Sequence, residues 1–228
     1  LTSEKLKEWV SVKDFGTVQD AVTYCFTSGA HLYWPAGTYL TTASINNFHA
    51  VQHSGPGAVQ RGSDLFYVDP DTATTNRIYV STSGSSGNDG LSASQPISTL
   101  QLAVDKLPNY GPVLEGTWAI QLAAGTYARG RFPDEGLRSE KPIEINGPDV
   151  GGHPNVPTAI ISEGANGVSA EGIRIRERTR VKCSNLHFIG FNGTFSSGGF
   201  TAGGFCDIIS VNCHYTNCTW GISGSQHS

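Results

Sequence analysis

The sequence has no methionine, only 15% charged residues, and no apolar run of about 18 residues in its 228 positions. The last absence leaves no candidate for a membrane-spanning helix. The five cysteines (Cys25, Cys183, Cys206, Cys213 and Cys218) are odd in number and form no C-x-x-C pair, which argues against a disulfide framework and a zinc centre. Cys183 and Cys213 fall on expected inward positions, where a reduced thiol behaves as a small hydrophobe. A formal net charge of -4 gives no general attraction to nucleic acid or to an acidic membrane surface. No phosphate-cradling G-x-x-x-x-G-K-[ST] is present, and neither a cofactor nor a metal is expected. The opening Leu1-Thr2-Ser3-Glu4-Lys5-Leu6 lacks the basic-then-apolar profile of a secretion signal. Without a starting Met, and with Ser228 falling inside a repeat, the chain reads as an N-terminal fragment of a longer protein.

Glycine is abundant, at 28 residues, alongside many Ser, Thr and Asn, a composition that points to a turn-rich β protein. Gly172-Ile173-Arg174-Ile175-Arg176 alternates apolar and charged residues, as a half-buried strand does. Val181-Lys182-Cys183-Ser184-Asn185-Leu186-His187-Phe188 is echoed 27 positions later by Ile208-Ile209-Ser210-Val211-Asn212-Cys213-His214-Tyr215. A repeat of this length made of short strands implies a solenoid whose coils stack into a continuous core.

Upstream, residues 1–8 are charged and helix-compatible, and Trp9 to Gly16 reads as a strand entering a turn. Thr17 is placed to cap a helix beginning at Val18. His31–Trp34 is a strand, and Pro35-Ala36-Gly37 turns into Thr38-Tyr39-Leu40. Residues 43–76 lack periodicity and read as a long connection with one strand near Leu65–Val68. The pattern then restarts: a strand at Ile78–Val80, a turn-forming Ser83–Gly90, and a helix over Ser98–Leu107 with Leu100, Ala103, Val104 and Leu107 on one face. Ala119–Leu122 is a strand, and Ala123-Ala124-Gly125-Thr126-Tyr127 repeats Pro35-Ala36-Gly37-Thr38-Tyr39. Two such openings divide the chain into residues 1–76, a head with its connection, and 77–228, a second capping opening followed by the first coils.

Trp9-Val10-Ser11-Val12-Lys13-Asp14-Phe15-Gly16 followed by Trp34-Pro35-Ala36-Gly37-Thr38-Tyr39 resembles the opening of bacteriophage tailspikes. Ile78-Tyr79-Val80, Asn88-Asp89-Gly90-Leu91-Ser92 and Pro96-Ile97-Ser98-Thr99-Leu100 are similar to another common β-helix opening. One departure is clear: the Gly-Asp-Gly and Asp-Asp stretch usual in the family is missing, since Gly16 runs directly into Thr17. The resemblance implies an all-β, pectate-lyase-like right-handed parallel β-helix (solenoid) preceded by a small mixed head, in a homotrimeric virion tail protein. It further implies attachment to a bacterial surface polysaccharide (capsule or O-antigen) outside the host cell, contact with other phage tail or baseplate proteins, and depolymerase activity in the full-length protein. Neither nucleic acid nor membrane insertion belongs to this expectation. The alternatives are a non-enzymatic structural or glycan-binding tail segment, and a secreted bacterial carbohydrate-active protein.

The candidate site residues follow from alternation. With Ile173 and Ile175 inward, Arg174 and Arg176 face outward, and Arg178 continues the spacing. Guanidinium groups in a row suit the carboxylates of an acidic glycan. The competing explanation is a solvated face of Arg–Glu pairs, because residues 129–182 hold nine basic and eight acidic side chains. His187 and His214 are expected on the outside of adjacent coils, roughly 4.8 Å apart, as sugar ligands or plain ladder members. Asn185 and Asn212 are expected at bends, with their amides hydrogen-bonded from coil to coil. Glycoside cleavage needs two carboxyl groups, about 5 Å apart for retention or roughly 6.5–9.5 Å for inversion. Among Asp134, Glu135, Glu140, Glu163, Glu171, Glu177 and Asp207 no spacing picks a pair, and Glu177, Glu171 and Asp207 are the candidates for catalysis. Glu177, set among arginines, would suit the base of a lyase.

Overall fold

The structure is a computed structural model that describes residues 9–69, 74–108, 116–139, 141–151, 155–162, 171–191, 198–203 and 206–225. The helix-compatible residues 1–8, and the carboxyl candidates Glu140 and Glu163, lie outside these. Strand β1 (Trp9–Ser11) stops early, because Ser11 and Asp14 cap one another reciprocally and turn the chain into a 3₁₀ segment over Val12–Asp14. Helix α1 (Val18–Ser28) starts as expected: the Thr17 hydroxyl accepts the Asp20 N–H at 3.1 Å. Ala21, Val22 and Cys25 form its buried stripe. Strand β2 (His31–Tyr33) returns parallel to β1, and β3 (Gly37–Leu40) follows.

Residues 43–76 are not a long connection. They hold a 3₁₀ turn over Phe48–Ala50, then β4 (His53–Ser54), β5 (Gly57–Arg61) and β6 (Asp64–Tyr67). β4 pairs with β2 and β5 with β3, both parallel, whereas β6 folds back antiparallel on β5. Strands this short span too few residues for an alternation to register. Only β6 was legible, one residue earlier than expected.

The second opening repeats this scheme. β7 (Thr75–Val80), α2 (Leu100–Asp105) and β8 (Thr117–Leu122) again make a parallel strand pair joined across a helix. α2 is shorter than its sequence signal, capped by the Thr99 hydroxyl on the Leu102 N–H at 3.1 Å. Leu100, Ala103, Val104 and Leu107 are nonetheless all buried.

From β8 onward the chain runs through three parallel sheets in a constant order. β8, β11 (Ile143–Asn146), β14 (Arg180–Ser184) and β17 (Asp207–Val211) join β7 in the first sheet. β9 (Gly125–Tyr127), β12 (Ala159–Ser162), β15 (Leu186–Ile189) and β18 (His214–Thr216) form the second. β10 (Gly130–Arg131), β13 (Ile173–Arg176), β16 (Gly198–Gly203) and β19 (Trp220–Ser225) form the third. The described chain is therefore mostly strand, and its sheets are small and largely parallel. Val181 pairs with Ile208 and His187 with His214, so the 27-residue echo is one full circuit.

Inward columns hold the sheets together: Ile78, Ile120, Ile145 and Cys183 stack in one sheet, and Tyr127, Ile161, Phe188 and Tyr215 in the next. The Phe188 and Tyr215 rings lie 5.1 Å apart and nearly parallel. Each fully buried Ile contributes about 1.5–3 kcal/mol. All five cysteines are free thiols, with Cys183 buried as expected and Cys213 partly so.

The bends between the first and second sheets fall at Gly147, Asn185 and Asn212. Asn185 and Asn212 take left-handed backbone (φ 56 and 50), a conformation Asn tolerates better than most residues. The link between circuits here is the backbone bond from Asn185 N–H to the Val211 carbonyl, not the expected amide ladder, and the Asn185 side-chain oxygen is buried without a partner. A side chain on Gly147 would come within 2.1 Å of the Asn185 carbonyl oxygen, so the stack closes at that position only around glycine.

Candidate functional site

Strand β13 projects Arg174 and Arg176 outward exactly out of phase with buried Ile173 and Ile175, as alternation requires. Arg174 faces two carboxylates, Asp134 at 3.4 Å and Glu171 at 3.5 Å, and Arg176 lies 3.8 Å from the same Asp134 oxygen. Asp134 is brought there by the loop after β10. The Leu137 N–H donates to the Thr179 hydroxyl, which itself donates to the Arg176 carbonyl. Thr179 is fully buried, so this pair of bonds fastens the loop to the corner between the third and first sheets.

The corner itself consists of Glu177 and Arg178, both in left-handed backbone at φ 34 and 58. Two consecutive non-glycine residues in this region are costly and hold the Glu177 and Arg178 side chains out from the stack. One step on, Arg180 pairs with Asp207 at 2.9 Å across adjacent circuits. Burial pushes the Cys206 thiol up, against the opposing effect of its backbone hydrogen bonds, and the Glu177 and Asp207 carboxylates add to the rise.

The structure thus gathers Glu171, Arg174, Arg176, Glu177, Arg178 and Asp207 along one corner, together with Asp134 and Arg180. Arg174, Arg176 and Arg180 pair there with Asp134, Glu171 and Asp207, so most of the positive charge of the row is met by carboxylates. His187 and His214 stand elsewhere, on the second sheet, with ring centroids 5.6 Å apart in an edge-on arrangement. The His187 Nε2 lies 2.8 Å from the Thr216 hydroxyl. Burial, then the neighbouring His214, lowers the His187 pKa. The candidates therefore form two groups on different faces rather than one groove.

A cleft of about 870 Å³ opens in the first unit between Val12–Gln19 and Thr38–Asn46. Lys13 is its one charged lining residue, so it offers no acid–base pair. Among the described residues no group of three or more His, Cys, Asp or Glu side chains is arranged to hold a metal ion.

Sequence reasoning passed over a second polar cluster, at the joint between the two units. Arg61 and Asp89 form a two-pronged pair, both bonds 2.7 Å, with side chains 4% and 0% exposed. Asp89 also accepts the N–H groups of Ile45 and Leu91, while the Ala43 carbonyl accepts from Arg61. Partners 28 residues apart, one inside an apolar strand and one in a turn-forming loop, leave no common sequence signal.

No family model, curated protein or solved structure matches the chain.

Proposed function

We propose that the repeating circuits are those of a right-handed parallel β-helix, a solenoid with its head in the first unit, and that the protein is a phage tailspike. In this reading it assembles as a homotrimer in the virion tail, beside other tail or baseplate proteins. It attaches to capsule or O-antigen polysaccharide at the host surface. The observation that carries the reading is the constant order of three parallel sheets, which projects Arg174 and Arg176 from one flat outer strand. A rigid row of this kind suits a repeating polymer, and guanidinium forks suit its carboxylates and hydroxyls. Cleavage belongs to the full-length protein. Within this chain Glu171, Glu177 and Asp207 remain the carboxyls proposed for it, with Glu177 held out by its backbone.

The test is incubation of the protein with purified capsular and O-antigen polysaccharides. Retention is expected, weakened about tenfold or more by Arg174→Ala or Arg176→Ala, the usual loss for a hydrogen bond to a charged group. New reducing ends or unsaturated products mark cleavage, and retention without them marks a binding module. Light scattering tests the trimer, and a stable monomer in dilute solution overturns it.

The pairing of Arg174, Arg176 and Arg180 with Asp134, Glu171 and Asp207 favours a second reading, in which the corner is structural and the segment stiffens the tail. Absence of both retention and cleavage, with trimerisation intact, selects that reading.

A further inference from the structure

Asp134 is held in front of the arginine row by a turn whose backbone is fixed at both ends. On one side the Phe132 N–H donates to the Arg174 carbonyl at 2.9 Å, which continues the pairing of β10 with β13. On the other the Leu137 N–H donates to the Thr179 hydroxyl at 2.9 Å. Between them the Gly136 N–H donates to the Pro133 carbonyl at 2.9 Å, so Asp134 and Glu135 take the two central positions of a tight turn. Gly136 has positive φ (76) and lies against the Glu177 carbonyl, where a side chain has no room. The turn is therefore seated on the corner by its backbone, and its central side chains stay free to rotate.

The contact that Asp134 makes is loose. A single oxygen, Oδ1, serves both Arg174 at 3.4 Å and Arg176 at 3.8 Å. A carboxylate that engages a guanidinium fully does so at about 2.7–2.9 Å and with both oxygens. The Asp134 side chain is 79% exposed, and exposed ion pairs contribute little. Glu171 differs. It is only 18% exposed, stands three residues before Arg174 and approaches its Nε at 3.5 Å. Rotation of the Asp134 side chain lifts its carboxylate off both arginines without moving the turn, while Glu171 stays beside Arg174.

We propose that Asp134 is an internal stand-in for a carboxylate of the ligand, occupying the Arg174–Arg176 pair in the free protein and displaced when an acidic polysaccharide binds there. This rests on the attachment reading above and narrows it to polymers that carry carboxylates. A neutral chain offers the guanidinium groups hydroxyls in place of a carboxylate, and that exchange loses a charge-assisted bond. An acidic sugar replaces like with like, and it gains the short two-pronged geometry that Asp134 does not reach. The ion pairs that neutralise the row in the free protein thus select among its ligands.

Retention of purified acidic and neutral capsular and O-antigen polysaccharides by the full chain, measured by affinity electrophoresis, tests the proposal. Asp134→Asn keeps the shape of the side chain and is expected to strengthen retention of carboxylate-bearing polymers about fivefold, the upper range for one exposed ion pair. Retention of neutral polymers is expected to stay unchanged. Glu135→Gln removes the same charge one residue away and is expected to give no gain. Adding Arg176→Ala to Asp134→Asn is expected to cancel the gain. Unchanged or weaker retention of acidic polymers in Asp134→Asn, or an equal gain from Glu135→Gln or on neutral polymers, overturns the stand-in and leaves attachment standing. No retention of any polymer by the wild type and Asp134→Asn alike overturns attachment, and the stand-in with it.

Discussion

The two units open identically and finish differently. β1, α1, β2 and β3 repeat as β7, α2, β8 and β9, with Thr17 and Thr99 at equivalent helix caps. Gly37 and Gly125 both adopt positive φ (139 and 150) at the following bend. In each unit a tyrosine then donates its hydroxyl four residues back, Tyr39 to the Pro35 carbonyl at 3.0 Å and Tyr127 to the Ala123 carbonyl at 2.9 Å. The shared A-G-T-Y segment is therefore a self-bonded bend.

What differs is the strand laid on top. In the first unit β5 is followed by antiparallel β6, which ends that sheet's run of parallel pairing. In the second, each sheet accepts further parallel strands out to β17, β18 and β19. The same opening thus leads to a closed unit or an extending stack according to the direction of one strand. At the junction the buried Arg61–Asp89 pair adds to a continuous apolar core, in which Phe66 meets Trp118, and to the hydrogen bonds of Asn76 with the Tyr67 backbone.

Experiments that disrupt this contrast rank from the joint outward. Asp89→Ala strands the buried Arg61 charge and is expected to cost about 3–5 kcal/mol in chemical denaturation, the usual price of halving a buried ion pair. Replacing both partners by apolar residues of similar size is expected to recover most of that loss. Recovery of none of it would mean that the pair also specifies the arrangement. In the stack, Ile145→Ala removes a fully buried column member and is expected to cost about 2–5 kcal/mol, measured in the same way.

Smaller changes compare the two openings directly. Thr17→Ala and Thr99→Ala should each lose about 1 kcal/mol from a missing N-cap. A larger loss at Thr99 would show that the short α2 depends more on its cap than does α1. Tyr39→Phe and Tyr127→Phe should each cost about 0.5–1.5 kcal/mol in thermal or denaturant unfolding. The larger effect is expected for Tyr127, since its side chain is 3% exposed and its hydroxyl also lies 3.4 Å from the buried Val80 carbonyl, whereas Tyr39 is only half-buried. Equal effects would count against burial as the cause.

How much of this was legible depended on spacing. The Thr17 helix cap, the alternating β13 and the 27-residue echo were readable because their determinants are neighbours in the chain or repeat intact; the Thr99 cap was not, since the helix signal there began at Ser98. The earlier circuits were not, because paired positions in the first sheet advance unevenly. Ile120 pairs with Ile145 after 25 residues, whereas Ile145 pairs with Cys183 after 38. Loops of unequal length between identical strands erase a period without disturbing register. The arginine row was foreseen, but its neutralisation by Asp134 was not, since that carboxylate arrives on a loop fastened by Thr179. His187 and His214 were paired correctly and then found on a different face from the arginines.

Local chemistry thus settled what each segment is: which residues cap, which alternate, and which bend the chain. Which segments meet was settled by packing. Arg61 and Asp89, His49 and Asp89, and Arg174 and Asp134 are each joined only when strands from separate circuits or units stack. Desolvation makes these contacts strong or weak, and it exists only once the surrounding core has closed.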